Sequence, residues 1–312
     1  MKSQNTKITH RDMEVFDILK LLPLTTTQIF RISQAFSFPF PSERVVYRRM
    51  QKLASGGLAR RFYFAFPSSG RNPLYWRLTN KSFQLTSEAN QLTQKHRRSV
   101  ASIGVSLHFH SHQLSEFLIC LLLSAKKSAV DLQELKVESP ISLGNDGESI
   151  IPDASFAFAA PDGGEFRFFV ELDTGTERVA TLQRVPSSIQ KKLEFYERLR
   201  QQSTEPFRVL FVTTSSERRA TNILRFSDRM STNPTSRLIY AAHLPRLLQQ
   251  NNCVTGQAFL DHKQRPVRLI RKPTYCKLQT SSSVEERAFA YLNHRSYRQR
   301  RKNNTSEVQF KR

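Results

Sequence analysis

The feature that most constrains the fold lies in residues 9–78, where helical apolar patterns precede two alternating, aromatic-rich segments. Apolar residues recur at helical spacing in 9–21, and one of Thr25, Thr26 and Thr27 is placed to cap a second short helix. Ser42 can cap a third helix, which Gly56-Gly57 would end. The segments LARRFYFAF and LYWRLT flank a turn rich in Pro, Gly and Asn, which is typical of a β-hairpin. The predicted order is three helices followed by a hairpin.

Three helices followed by a hairpin is the order of a winged helix-turn-helix domain, which we assign to residues 1–90. In that fold the third helix enters the major groove of double-stranded DNA, and cations of the hairpin meet phosphates. The alternative is a small α+β domain whose basic face is only solvated. The predicted DNA-binding residues are the cations of the third helix and of the hairpin: Arg44, Arg48, Arg49, Lys52, Arg60, Arg61, Arg71 and Arg77.

The charge of the chain indicates a polyanionic partner. Forty-eight Lys and Arg against 26 Asp and Glu give a net charge of +22. An anionic membrane is the rival partner, but no apolar run approaches the ~20 residues of a membrane span, and the first residues lack an apolar signal region. Three scattered cysteines argue against a disulfide framework and against a cysteine zinc site. We therefore expect a cytoplasmic, DNA-binding protein that makes no use of a membrane.

The charge is also uneven along the chain. Residues 41–100 carry twelve Lys and Arg against two acids, whereas residues 138–173 carry eight acids against Arg167 alone. The basic regions are suited to phosphate, and the acidic middle is suited to a cation. Residues 91–106 predict a polar linker, and residues 276–312 predict a basic, largely disordered tail that adds salt-sensitive DNA affinity.

Residues 107–275 predict a second domain of mixed α/β or α+β class. Their patterns follow the order αβββαβαβ, which indicates a mixed sheet that contains a hairpin and has helices on its faces. The first helix is expected over 112–127, and the first two strands are expected over 130–138 and 149–158. A last strand pair beyond residue 246 would complete the sheet.

Chemistry in this domain centres on three carboxylates, Asp153, Glu171 and Asp173. Strand side chains alternate, so Glu171 and Asp173 share a face, and Asp153 opens the neighbouring strand. Three converging carboxylates repel one another unless a hard cation such as Mg²⁺ lies between them. Such a cation could activate water and polarise a phosphodiester. The competing interpretation is that these acids are solubility and turn residues at a hairpin end.

A family resemblance bears on this choice. Pro152-Asp153 followed by Glu171-Leu172-Asp173 resembles the PD-(D/E)xK nuclease-like superfamily. More specifically, Ile-Pro-Asp (151–153), Phe-Val-Glu-Leu-Asp-Thr-Gly-Thr-Glu (169–177) and Lys-Leu-x-x-Tyr (192–196) resemble the replication-relaxation family of plasmid and mobile-element proteins. That family joins an N-terminal winged helix to a restriction-endonuclease-like domain, and the resemblance covers roughly residues 10–245.

The resemblance implies roles for individual residues. Asp153 and Glu171 would occupy metal-ligand positions, and Glu116 would be the accessory acid on the first helix of the domain. The nuclease motif ends in Lys where this chain has Asp173, and that Lys stabilises developing phosphate charge. Lys192, on the following helix, either supplies the charge from a different backbone position or is an ordinary solvated lysine.

Two functions remain open at this point. The first is a Mg²⁺-dependent DNA nickase or nuclease that acts in plasmid or mobile-element replication or mobilisation. The second is a non-catalytic replication or transcription factor whose inactive nuclease-like domain serves for docking or for a homodimer. His108-Phe109-His110 matches a His-hydrophobe-His metal motif of another nickase class, but a helix-start or phosphate-facing role is favoured. Tyr196 is predicted to be a core residue rather than a DNA-linking nucleophile.

Overall fold

The computed structural model describes residues 6–66, 72–86, 100–143, 147–159, 165–176, 179, 188–231 and 238–270. The predictions for Arg71, for residues 91–99 of the linker and for the tail at 276–312 lie outside the described residues. The chain is of mixed α+β class, with helices and a large mixed sheet, as the sequence predicts.

In the N-terminal part, the residues that the structure describes form helices and a small antiparallel sheet of strand order β1-β3-β2. In chain order its elements are α1 (His10–Leu21), β1 (Leu24–Thr25), α2 (Thr26–Ser33), α3 (Glu43–Ser55), β2 (Ala59–Tyr63), β3 (Leu74–Leu78) and α4 (Asn80–Thr86).

Local chemistry explains where these helices begin and end. Thr25 forms a reciprocal capping box with Gln28 at the start of α2, and Ser42 accepts a hydrogen bond from the backbone of Val45 at the start of α3. At the end of α3, Gly57 adopts φ +70°, and the Leu58 N–H donates to the Leu53 carbonyl at 2.8 Å. This is the left-handed termination that glycine favours. The predicted caps and the glycine stop are therefore confirmed.

The C-terminal part is built on a seven-stranded sheet of order β12-β11-β10-β9-β8-β7-β4, in which β8, β9 and β10 run parallel. A 3₁₀ turn, Val105–Leu107, leads into it, and β5 and β6 form a separate small hairpin. Its elements are α5 (His108–Lys127), β4 (Asp131–Val137), β5 (Ile141–Ser142), β6 (Ser149–Ile150), β7 (Ala154–Ala159), β8 (Glu165–Asp173), α6 (Ser188–Gln202), β9 (Phe207–Thr213), α7 (Glu217–Met230), β10 (Ile239–His243), α8 (Leu244–Leu248), β11 (Phe259–Leu260) and β12 (Pro266–Val267).

The predicted order αβββαβαβ is confirmed, with two differences. The helix expected from residue 112 begins one turn earlier, at His108. The strand expected over 149–158 is divided, because β6 pairs with β5 and only β7 enters the large sheet. Pro152 has no N–H to donate and lies at this division, directly before Asp153.

Alternating side chains give the sheet two apolar faces. Val170, Leu172 and Val212 pack in the cluster that contains α5, and this cluster continues into the buried side chains of α1, α2 and α3. Phe169 and Phe211 face the opposite side, where α6 and α7 cover them. Of the helices in the described ranges, none combines the length and the apolar character that crossing a membrane requires.

Candidate functional site

Asp153 directly precedes β7, in the short segment that connects the β5–β6 hairpin to the large sheet. Its backbone N–H donates to the Val170 carbonyl at 3.0 Å, and its Oδ2 accepts the Leu172 N–H at 2.6 Å. These two bonds span the position of Glu171 on the neighbouring strand β8. The pairing of β7 with β8 thus brings Asp153 and Glu171, which the sequence predicts to act together, next to each other.

The Glu171 carboxylate is buried, and side chains of α6 hydrogen-bond both of its oxygens. Lys192 Nζ donates to Oε2 at 2.7 Å, and Tyr196 Oη donates to Oε1 at 2.6 Å. Lys192 and Tyr196 are four residues apart and therefore share one face of the helix. Burial, together with the nearby charge of Asp153, raises the pKa of Glu171 to about 7 despite the opposing effect of Lys192. The site holds a carboxyl group that titrates near neutral pH.

Lys192 and Tyr196 therefore have different roles in this arrangement. The Lys192 side chain is partly exposed and places its ammonium against a buried carboxylate, so it is not an ordinary solvated lysine. Tyr196 is buried, as predicted, and burial and the charge of Glu171 raise the pKa of its hydroxyl. The hydroxyl stays a hydrogen-bond donor that fixes the orientation of Glu171.

His110 is a member of the site that the sequence analysis did not assign to it. Its Nε2 lies 3.2 Å from Asp153 Oδ1. Burial alone would lower the pKa of His110, but the hydrogen bond to Asp153 and the charge of Asp153 outweigh burial and raise it. His108, two residues earlier on α5, points elsewhere: its Nδ1 accepts the Ala65 N–H at 2.6 Å, and its Nε2 lies 3.0 Å from the Ile103 carbonyl. Two residues that are two apart on a helix lie on different faces, so the rings of His108 and His110 point in different directions. A helix predicted to begin at residue 108 would have indicated this difference.

Asp173 is not part of this group, although it was predicted to join it. Its Oδ2 accepts the Thr213 hydroxyl at 2.7 Å, and its Oδ1 accepts Arg219 Nη2 at 2.7 Å. Burial would raise the pKa of Asp173, but the hydrogen bonds from Arg219 and Thr213 lower it below its usual range. Asp173 therefore connects β8 to β9 and α7 as an ion-paired structural residue. Arg219, one turn into α7, has no sequence motif that marks it in advance.

Glu116 also lies apart from Asp153 and Glu171. Its carboxylate accepts Gln28 Nε2 at 2.8 Å and pairs with Arg31, both on α2. These contacts join α5 to α2, and the accessory-acid role of Glu116 stays a prediction. In the described ranges, no group of three or more His, Cys, Asp or Glu side chains is arranged to hold a metal ion.

A second group of predicted site residues lies on the N-terminal part. Five of the predicted cations of α3 and β2 are exposed, namely Arg44, Arg48, Lys52, Arg60 and Arg61, and the same two elements carry the exposed Tyr47 and Tyr63. Arg49 instead pairs with the buried Asp12 of α1, and its Nη2 donates to the Lys7 carbonyl at 2.8 Å. Arg77 is buried and donates to the Ala101 carbonyl at 3.1 Å. Of the seven predicted cations that the structure describes, five are thus exposed and two are held by the protein itself.

Comparison with known proteins identifies the chain at the level of a family. Searches of curated proteins and of solved structures each gave no match. The sequence model of the replication-relaxation family matches residues 17–211, which include Asp153, Glu171 and Lys192 and make up more than half of the chain. The chain therefore belongs to the replication-relaxation family.

Proposed function

We propose that this protein binds double-stranded DNA through a winged helix-turn-helix domain at residues 1–90, as part of plasmid or mobile-element replication. The observation that carries the proposal is the set of five exposed cations on α3 and β2. The element order also supports it, since α2, a short connection and α3 precede the β2–β3 hairpin. In such domains the second helix of the motif enters the major groove.

The chemistry of α3 supports a DNA-facing role. Its inner face is occupied by buried Val46, Met50 and Leu53, so the opposite face is presented to solvent. Arg44 and Arg48 lie one turn apart on that face. Gln51 Nε2 donates to Tyr47 Oη at 2.8 Å on the same surface. Guanidinium, amide and phenol groups together suit phosphates and base edges.

Salt-dependent binding to a labelled duplex tests the proposal. We expect the double variant Arg44→Ala/Arg48→Ala to bind more weakly and to flatten the plot of log K against log salt concentration by about 2, which is about 1 per lost phosphate contact. The matched control is Arg225→Ala/Arg229→Ala, because these arginines are exposed at the same spacing on α7. Equal effects of the two double variants would mean that only net charge matters, and the proposal would fail.

A second candidate function is metal-dependent cleavage of DNA at Asp153, Glu171 and Lys192. The observation that favours it is the 2.7 Å contact between Lys192 and Glu171. This chain has Asp173 where the nuclease motif has a lysine, and Lys192 would supply the missing cation from the following helix. The sheet order around β7, β8 and β9 is compatible with a restriction-endonuclease-like domain over residues 107–275. Lys192 would offer positive charge to a phosphate, His110 would orient Asp153, and Tyr196 would orient Glu171.

Of the three predicted carboxylates, only those of Asp153 and Glu171 could hold a metal together. Mg²⁺ commonly uses one or two carboxylates together with water and substrate phosphates, and Asp153 and Glu171 match that requirement. Asp173 is paired with Arg219 and Thr213, and a metal at Asp153 and Glu171 would have to replace the contacts that His110, Lys192 and Tyr196 make with those two carboxylates. When bound, the metal supplies an activated water and polarises the phosphodiester.

Conversion of supercoiled plasmid to open-circle or linear form tests this second function. We expect conversion with Mg²⁺ or Mn²⁺, none in EDTA, and loss in Asp153→Ala, Glu171→Ala and Lys192→Met. Glu217→Gln is the matched control, since Glu217 is an exposed, ion-paired acid on α7. If wild type binds duplex DNA but converts no plasmid with either metal, the protein is a non-catalytic DNA-binding factor with a nuclease-like domain.

A further inference from the structure

We propose that an exposed apolar ridge at the start of α5 binds unpaired nucleotides of a DNA strand, with Phe109 as the residue that stacks on a base. The inference rests on the proposed DNA-binding function and deepens it by naming single-stranded or locally melted DNA as the ligand. We call four exposed residues the apolar ridge: Phe109 on α5, Val105 and Leu107 in the 3₁₀ turn that leads into α5, and Ile151, which lies two residues before Asp153, the partner of His110.

Exposure is the first observation. Val105 is 68% exposed, Leu107 52%, Phe109 43% and Ile151 50%. Large apolar side chains that stay in contact with water lose the free energy that burial would provide, and a local group of them marks a binding surface. Other exposed large apolar residues of the described ranges, such as Phe38, Leu85 and Phe166, lie on separate elements.

The backing of Phe109 is the second observation. Its ring meets the edge of Phe66 at 6.4 Å, and Phe66 stacks on the buried Phe64 at 5.3 Å with an interplanar angle of 11°. His112 contacts both Phe66 and Phe64 edge-on. Phe109 is therefore held by a packed aromatic group and offers a stacking surface that loses little conformational entropy on binding.

The position of the ridge is the third observation. Phe109 directly precedes His110, which contacts Asp153, and Ile151 lies two residues before Asp153. The ridge thus borders a group in which Lys192 carries positive charge. Paired bases inside a duplex cannot reach an apolar protein surface, whereas unpaired bases stack on aromatic side chains while their phosphates meet cations.

Charge selects DNA over other occupants of the ridge. The net charge of +22 favours a nucleic acid strand, whose charge is of opposite sign, over a second copy of the chain, whose charge is of the same sign. Stacking also needs no particular base sequence, since every base has an aromatic face.

The test compares binding of three probes in EDTA, so that cleavage plays no part. The probes are a single strand of about 20 nucleotides, a fork with the same strand and a blunt duplex, with 2-aminopurine in the unpaired strand to report stacking. We expect Phe109→Ala to bind the single strand and the fork about 10-fold more weakly and to lose the 2-aminopurine quenching, with duplex affinity unchanged. Phe109→Tyr keeps a stacking ring and should behave as wild type. Phe166→Ala is the matched control, since Phe166 is 46% exposed on β8.

Three results would overturn the inference. The first is a Phe109→Ala variant with wild-type affinity for the single strand, and the second is an equal loss on duplex and single strand. The third is a change of oligomeric state by light scattering with no change in DNA binding, which would make the ridge a contact between copies. The blunt duplex, tested alongside Arg44→Ala/Arg48→Ala, reports on the winged-helix proposal separately, so the two proposals can fail independently.

Discussion

Two adjacent arginines of α3 should give opposite phenotypes when each is replaced by methionine. Arg48 is exposed on the outer face of the helix, whereas Arg49 reaches back to Asp12 on α1. Methionine keeps much of the apolar stem and removes the guanidinium. We expect Arg49→Met to reduce stability with little direct effect on DNA contact, and Arg48→Met to reduce DNA affinity with little effect on stability.

The size of the stability loss follows from the contacts of Arg49. Its Nε donates to Asp12 Oδ1 at 2.7 Å, and its Nη2 donates to Asp12 Oδ2 and to the Lys7 carbonyl. Removing one partner of a buried ion pair costs about 3–5 kcal/mol. Asp12 is buried but keeps its bonds from Thr9, and the Arg49 side chain is 19% exposed. We therefore expect the lower end, about 3 kcal/mol, or a fall in Tm of roughly 5–10 °C.

The stability loss of Arg49→Met should depend on pH. Burial alone would raise the pKa of Asp12, but hydrogen bonds from Arg49 and Thr9 outweigh it and lower the pKa from 3.8. A lowered pKa in the folded state contributes stability that is present above the unfolded pKa and is lost as the pH falls through the folded pKa. The difference between wild type and Arg49→Met should thus be full at neutral pH and should shrink in acid.

Thermal and urea unfolding at pH 7 and at pH 3, with duplex binding measured below both melting temperatures, distinguishes the two arginines. The reasoning is refuted if Arg49→Met melts like wild type while losing as much DNA affinity as Arg48→Met. In that case Arg49 would leave Asp12 to contact phosphate, as the sequence alone predicts.

Three further predictions concern other ion-paired acids, Glu171, Asp173 and Glu116. Glu171→Gln should remove a change of about 3 kcal/mol in the free energy of unfolding with pH. The pKa of Glu171 is raised from 4.5 to about 7, so its stabilising contribution is lost as the pH rises between those values. Urea unfolding at pH 4.5 and at pH 8 checks this. Asp173→Asn should lower stability by about 2 kcal/mol at neutral pH through its weakened pairing with Arg219. The loss should be smaller once the pH falls below 3.8 and towards the lowered pKa of the folded state, and urea unfolding at pH 7 and at pH 3 measures both. Glu116→Gln should cost about 1 kcal/mol in thermal unfolding through Arg31 and leave any metal-dependent plasmid conversion unchanged, whereas loss of conversion would restore Glu116 as an accessory acid.

The elements of this fold were predictable from the sequence because their signals are local. The caps at Thr25 and Ser42 and the stop at Gly57 each depend on backbone groups within a few residues, so sequence spacing alone identifies them. The main error, at the start of α5, has the same origin. Leu107 precedes the helix without a side-chain cap, so no local signal marked the extra turn.

The partners of the charged residues were less predictable, because they are set by packing between distant elements. The alternation of β8 correctly puts Glu171 and Asp173 on the face of α6 and α7, but only the packing of these helices decides that one acid meets Lys192 and the other meets Arg219. The extra turn of α5 had a similar effect. It places His110 in the first turn of the helix, from which its Nε2 contacts Asp153.

The cations of this strongly basic chain fall into two groups, those that are paired with a buried acid and those that are not. Asp12 and Asp173 hold Arg49 and Arg219 in ion pairs that join separate elements, and such cations are unavailable to a polyanion without breaking the fold. Arg44, Arg48, Lys52, Arg60 and Arg61 have no acid within ion-pair distance in the described part of the chain. Leaving like charges close together on one surface costs free energy unless a polyanion offsets it. We therefore expect a cation of α3 without an internal acid, such as Arg48, to be a better candidate for a DNA contact than a cation that is held by a buried acid, such as Arg49.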